Sequence, residues 1–223
     1  MCWLDFCCAG PIRFRKGVPL MKRIASFLLF LALFGSVAAH ATLVSSRINI
    51  DNSFDFYIST NDATTGTYVG SGSNWGFGYT FTSALTSGVN NYLHVVARNE
   101  GGPGGFLGEF SLSDAAFEFA NGTQYLGTNA TDWVYRWGNF AAPDNAVVDE
   151  GANGVGPWGY RSGYSSSAPH WIWNYYSNGG HDYNTLFFSA EIRTAAAVPE
   201  PSSLALLGIA VLGLGLARRR RPA

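Results

Sequence analysis

The chain has 223 residues, three cysteines confined to its first eight positions, and a formal net charge of −1. That charge hides a segregation: between residues 42 and 198 there are five arginines and no lysine against thirteen acidic residues, a net −8. A segment of this kind excludes nucleic-acid binding, which needs a basic face to release counterions. Without a cysteine it also excludes a disulfide scaffold and a thiolate nucleophile.

Residues 21–41, MKRIASFLLFLALFGSVAAHA, have the parts of a secretory signal helix. Lys22 and Arg23 form the positive region, Ile24 to Phe34 the apolar region, and Ala39-His40-Ala41 a small-residue cleavage site, so the mature chain is expected to start at Thr42. Residues 1–20 hold all three cysteines (Cys2, Cys7, Cys8) and precede the charged region. They are read as an over-extended start, with Met21 the better initiator.

From residue 42 the pattern is all-β. The predicted strands are LVSSRINI (43–50), FDFYIS (54–59), WGFGYTFT (75–82), YLHVVARN (92–99), GFLGEFSL (105–112), DWVYRW (132–137), HWIWNYY (170–176) and NTLFFSAEI (184–192). Period-two alternation puts Phe54, Phe56 and Ile58 on one face, and Trp171, Trp173 and Tyr175 on another. Helical periodicity is absent, with SLSDAAFEFA (111–120) the single stretch able to hold a helical turn. Asn99 to Gly105, NEGGPGG, predicts a sharp glycine-built connection between two strands; with no lysine and no helix after it, it does not read as a phosphate loop. Residues 141–169 are rich in Gly, Pro, Ser and Asn and read as a long functional or mobile loop. Strands with turns between them favour a sandwich over a parallel α/β sheet.

The run Asp51-Asn52-Ser53-Phe54, then Trp75, then LTSGVNNYLHVVARNEGGPGGFLGEF with Asn90, Leu93, Val95, Ala97, Asn99, Gly101-Gly102-Pro103 and Gly105-Phe106-Leu107, resembles galactose-binding-domain-like modules of bacterial surface proteins. The resemblance spans roughly residues 43–193. It implies a β-sandwich jelly roll, and more weakly sugar binding, because the fold hosts many functions. Asn52 stands where the second aspartate of that pattern is usual, which weakens the carry-over of any cation site.

The chain ends in VPEPSSLALLGIAVLGLGLARRRRPA. Leu204 to Ala217 is apolar all round, but as a helix its fourteen residues rise only about 21 Å against a hydrocarbon core of about 30 Å. The flanking arginines favour the cytoplasmic side, and their snorkelling stretches the span, so a transmembrane helix over 204–217 is expected. Pro199-Glu200-Pro201, the glycine-bearing apolar stretch and Arg218, Arg219, Arg220 and Arg221 together resemble the PEP-CTERM sorting signal. That resemblance implies recognition by an exosortase, shedding of the anchor near Pro-Glu-Pro, and a Gram-negative producer of extracellular polysaccharide. The prolines keep the cleavage region extended and separate the helix from the folded domain.

Candidate chemistry within the domain is sparse. Aromatic faces stack on sugar rings, and Trp158 and Tyr160 in the long segment, with Trp75, are the candidate ligand-binding residues, although large aromatics more often fill a core. Asp51, Asn52 and Asp55 supply oxygens of the type calcium takes, as do Asp144, Asp149 and Glu150, but neither set has a calcium-loop spacing and solvated turns explain both. His94, His170 and His181 match no zinc signature, and there is no G-x-S-x-G and no distinctive carboxylate pair. The expectation is one β-sandwich domain over 42–196 between a signal helix (21–41) and a sorting tail (197–223). Its expected role is that of an exported, non-catalytic envelope or matrix protein without a cofactor, held briefly in the inner membrane. Exosortase and extracellular polysaccharide are its expected partners. A purely structural envelope protein is the alternative, and a polysaccharide-active enzyme a distant third.

Overall fold

The fold is described from a computed structural model over residues 41–165, 169–174 and 183–196, with Gly208 and Val211, both helical, in the tail. The predicted signal helix and residues 1–20 lie outside the described residues, as does the transmembrane helix apart from those two positions. Among the described residues no helix is long and apolar enough to cross a membrane.

Two antiparallel sheets, the arrangement of a β-sandwich, make up the domain. The first is built on β1 (Leu43–Asp51), flanked by β4 (Tyr79–Ala84) and by β6 (Gly105–Leu112). It continues through β12 (His170–Trp173) to β11 (Val148–Ala152), with β8 (Tyr125–Gly127) also on β6. The second runs β3 (Thr67–Gly72), β2 (Ser53–Ser59), β5 (Asn91–Glu100), β13 (Tyr183–Thr194), β9 (Val134–Trp137) and β10 (Asn145–Ala146), with β7 (Phe117–Phe119) on β13. The longest ladder, β5 with β13, pairs Tyr183 with Glu100 at one end and Ile192 with Asn91 at the other.

Alternation explains the core. Val44, Ile48 and Ile50 of β1, Phe106 and Phe110 of β6, and Ile172 of β12 meet Phe54, Phe56 and Ile58 of β2, Leu93, Val95 and Ala97 of β5, and Leu186, Phe188 and Ile192 of β13. Rings bridge the sheets: Phe56 to Phe110 at 5.9 Å and Phe106 to Phe188 at 5.3 Å between centroids, with Trp133 edge-on to Phe106. Burial of a large apolar side chain contributes about 2 kcal/mol each, so this layer is the main source of cohesion in a domain without disulfides.

Several sequence expectations are corrected. Residues 111–120 hold no helical turn: the end of β6, a turn and β7 occupy them. The segment 141–169 is not structureless, since β10 and β11 lie within it. The strand expected over 75–82 starts only at Tyr79, because Trp75, Gly76 and Phe77 belong to a turn closed by Phe77 N–H donating to Asn74 O at 3.0 Å. NEGGPGG does join two strands, but they belong to different sheets, so it is a crossing rather than a hairpin. Gly101 and Gly102 take the positive φ this requires, and Asn99 fastens the turn by donating to Gly102 O at 2.8 Å. Trp171 and Trp173 are both buried, but not on the one face expected: Trp173 joins the sandwich core, and Trp171 packs outside it with Leu107 and Trp158; Tyr175 lies outside the described residues.

Candidate functional site

On β1 the same alternation that buries Ile48 and Ile50 sends Arg47, Asn49 and Asp51 to the other side of the sheet. Leu107 of β6 and Trp171 of β12 join them there, under a cover formed by residues 153–165. Trp158 comes down from that cover and stacks on Trp171, with centroids 4.6 Å apart and planes 18° apart. Its indole N–H donates to Asp51 Oδ2 at 3.0 Å. Gly105 is needed beneath it, because a Cβ there would sit 2.6 Å from the Trp158 ring. Burial pushes the Asp51 carboxyl up from its ordinary value, and the indole hydrogen bond only partly offsets that.

Two loops are tied to β1 through Asn49. Its amide donates to Trp75 O at 2.8 Å, and its carbonyl accepts from the Tyr164 hydroxyl at 2.7 Å. Asn153 fixes the backbone of Arg161 on both sides, accepting from Arg161 N–H at 2.7 Å and donating to Arg161 O at 2.8 Å. The Arg161 guanidinium then lies over Trp75, 4.9 Å from the ring centroid, and donates to Trp158 O. Between these loops opens a small polar cavity of about 150 Å³, lined by Arg47, Asn49, Gly76, Gly78, Tyr160, Arg161 and Ser162.

The three aromatic candidates therefore converge on one place, but in different states. Trp158 is only 3% exposed, so the expectation of a sugar-stacking face is corrected: it is a packing residue, drawn in by Trp171 and by the Asp51 acceptor. Trp75 is half-buried with Arg161 on its face. Tyr160, 69% exposed at the cavity rim, is the ring left open to solvent.

The oxygens considered for calcium do not come together. Asp51 accepts from Trp158, Asn52 Oδ1 accepts from Glu100 N–H at 2.6 Å, and Asp55 pairs with Arg98 at 2.6 Å. Asp144 pairs with Arg136 and Asp149 with His170, and burial raises Glu150. Among the described residues no group of three or more His, Cys, Asp or Glu is placed to hold a metal ion. His181 lies outside the described residues.

The second sheet carries a polar cluster that the sequence did not announce. Arg136 of β9, 5% exposed, donates to Asp62 Oδ2 at 2.5 Å, to Asp144 Oδ1 at 2.5 Å and to Phe140 O at 2.8 Å. Asp62 also accepts from Ser189 Oγ at 2.6 Å and faces His94 Nε2 at 3.2 Å. Burial alone would push the Asp62 carboxyl up, but hydrogen bonds from His94, Arg136 and Ser189 and the Arg136 charge hold it well below the usual carboxylate range. His94 is fully buried and stacked on Phe140 at 3.8 Å. The carboxylate sits in the middle, bonded to both serine and histidine, and so strongly stabilised an anion is a poor proton acceptor. This order differs from that of a nucleophilic triad, in which histidine joins serine to the acid.

The comparison with known families falls on the other end of the chain. Residues 197–221 match the PEP-CTERM protein-sorting motif. The match includes Pro199, Glu200, Pro201 and Arg218 to Arg221, and it points to an exported protein sorted by an exosortase. No curated protein and no solved structure matches the chain. No match to a galactose-binding-domain-like module is found, and the two antiparallel sheets are consistent with a β-sandwich. Sequence reasoning missed Arg47 and Arg161, whose signal was available only as two of the five arginines in a lysine-free domain.

Proposed function

We propose that the chain is an exported, non-catalytic surface or matrix protein whose β-sandwich, of jelly-roll type, associates with extracellular polysaccharide. Export by the signal at 21–41, transient anchoring through 204–217 in the inner membrane, and exosortase processing near Pro-Glu-Pro complete the route. The observation that carries the reading is the PEP-CTERM motif at 197–221 behind an otherwise acidic, lysine-free β domain. The open Tyr160 ring beside a polar cavity supports the sugar-binding part, since an aromatic face with hydrogen-bonding neighbours suits a pyranose.

Mass spectrometry of the protein recovered from its producing cell tests the route. Thr42 at the N-terminus and a C-terminus near Pro201 are expected, and an intact Arg218–Arg221 tail overturns processing. Retention of the full chain on the producer's own polysaccharide tests the ligand. Loss of all retention, with and without calcium, would leave a purely structural envelope role.

A further inference from the structure

The five arginines of the domain fall into two groups. Arg98 pairs with Asp55 at 2.6 Å, Arg136 with Asp62 and Asp144 at 2.5 Å, and Arg193 with Glu191 at 2.7 Å. Arg47 and Arg161 have no carboxylate within 4.0 Å among the described residues, although the domain has an excess of acids. Both line the same cavity of about 150 Å³. Two half-buried guanidinium groups without a carboxylate at one small polar cavity make a local positive spot in an otherwise acidic domain, suited to an anionic group.

The surrounding structure holds them in this condition. Arg47 lies beside the Tyr164 ring, its guanidinium carbon 5.6 Å from the centroid, in a slot left by two glycines. A Cβ on Gly78 would be 2.4 Å from Arg47 Nη2, and one on Gly163 would be 2.7 Å from its guanidinium carbon. Arg47 Nε is buried with no hydrogen-bond partner. Arg161 is fixed by Asn153, by Trp158 O and by the Trp75 face, and its own Nε is likewise buried without a partner. Stacking on an aromatic face orients a guanidinium while leaving its N–H edge free for planar recognition of an oxyanion. The nearest candidate for neutralisation is Glu109, opposite Arg47 on β6, but its oxygens accept from Ser165 N–H, Ser165 Oγ and the Tyr125 hydroxyl.

We infer that Arg47 and Arg161 form a subsite for an anionic group carried on a sugar ring, with Tyr160 at the rim as the surface on which the ring lies. A cavity of this size takes the anionic group rather than the whole sugar. The chemistry is shared by a uronate carboxylate and a sulfate ester, so the ligand class is an acidic polysaccharide. The inference rests on the polysaccharide reading above and narrows it. The domain as a whole repels polyanions at net −8, so binding of one reports a local site and not bulk attraction.

The test uses the full chain in detergent and four polymers: polygalacturonate, its methyl ester, dextran sulfate and dextran. Affinity electrophoresis is expected to show retardation by polygalacturonate or dextran sulfate, which separates carboxylate from sulfate, and at least tenfold weaker retardation by the matching uncharged polymer. The double variant R47Q/R161Q should lose at least tenfold in affinity, and R47K/R161K should recover part of it. Gly76→Asp is the second variant: Gly76 is not in the left-handed region, and a Cβ there lies 3.7 Å from Arg161 Nη1 and 3.3 Å from Asn74 Oδ1, so the new carboxylate reaches the subsite once the Asn74 side chain gives by a few tenths of an ångström. It should abolish polyanion binding while retaining a single cooperative unfolding transition. Unchanged binding in both R47Q/R161Q and Gly76→Asp overturns the inference. Equal binding of charged and uncharged polymers also overturns it, but leaves the polysaccharide reading standing; binding of none of the four, nor of the producer's polysaccharide, removes both.

Discussion

The two sheets treat their arginines in opposite ways. On the second sheet Arg136 is buried under Asp62 and Asp144, and its Nε, Nη1 and Nη2 each donate to a fixed acceptor. On the outer side of the first, Arg47 is wedged between Gly78 and Gly163 beside Tyr164, and Arg161 of the cover is stacked on Trp75, with no carboxylate reached. One arrangement spends its charge internally and gives cohesion; the other holds charge in position and leaves it for a ligand. Buried ion pairs contribute little net stability but are costly to break, whereas an unneutralised pair is tolerated only where function requires it.

The contrast can be attacked at four points, in decreasing order of expected effect. Trp158→Ala removes the stacked ring and the donor to Asp51, and is expected to cost about 4 kcal/mol in urea unfolding followed by far-ultraviolet circular dichroism. A loss below about 1 kcal/mol would mean that the cover over residues 153–165 is not held by this ring. Asp62→Ala leaves Arg136 with Asp144 and the Phe140 carbonyl and is expected to cost about 3 kcal/mol in the same assay. A neutral result would place the second sheet's cluster among dispensable surface pairs.

The third point is pH. The Asp62 carboxyl is held below its unfolded value, so its contribution is complete above the unfolded value of about 3.9 and is lost as pH falls below that toward the folded value. Stability should therefore fall more steeply on the acid side in the native chain than in Asp62→Asn, whose acid limb should be shallower. Superimposable acid limbs would contradict the hydrogen-bonded carboxylate. The smallest effect is expected from Tyr160→Ala. Its exposed ring should cost less than about 0.5 kcal/mol in unfolding, yet retention on polysaccharide should weaken about threefold. Unaltered retention would detach Tyr160 from the subsite.

The reading of the fold from sequence was good where a strand is long and buried on one face. FDFYIS and NTLFFSAEI alternate clearly, and β2 and β13 fall on them with small shifts at the ends. β7, β8 and β10 are too short to show a period of two, and β3, TYVGSG, has glycines where apolar residues would mark a face. The sorting motif was legible because it is a contiguous string with a required order. The candidate site was legible only in part: aromatics in a glycine-rich segment suggested a ligand, but the burial of Trp158 depends on Asp51 and Trp171, which lie far away in the sequence. The nearness of Arg47 to Arg161 is of the same long-range kind, set by how residues 153–165 fold back over β1.

One turn gives the domain a mechanical direction. Residues 113–116 fasten both of its ends: Thr42 Oγ1 donates to Asp114 at 2.8 Å, Leu43 N–H donates to Ser113 Oγ at 2.9 Å, and Ala195 N–H donates to Ala116 O at 3.0 Å. The beginning of β1 and the end of β13 thus share one pole. A pull that separates the two ends of the domain therefore loads this turn before it reaches either sheet.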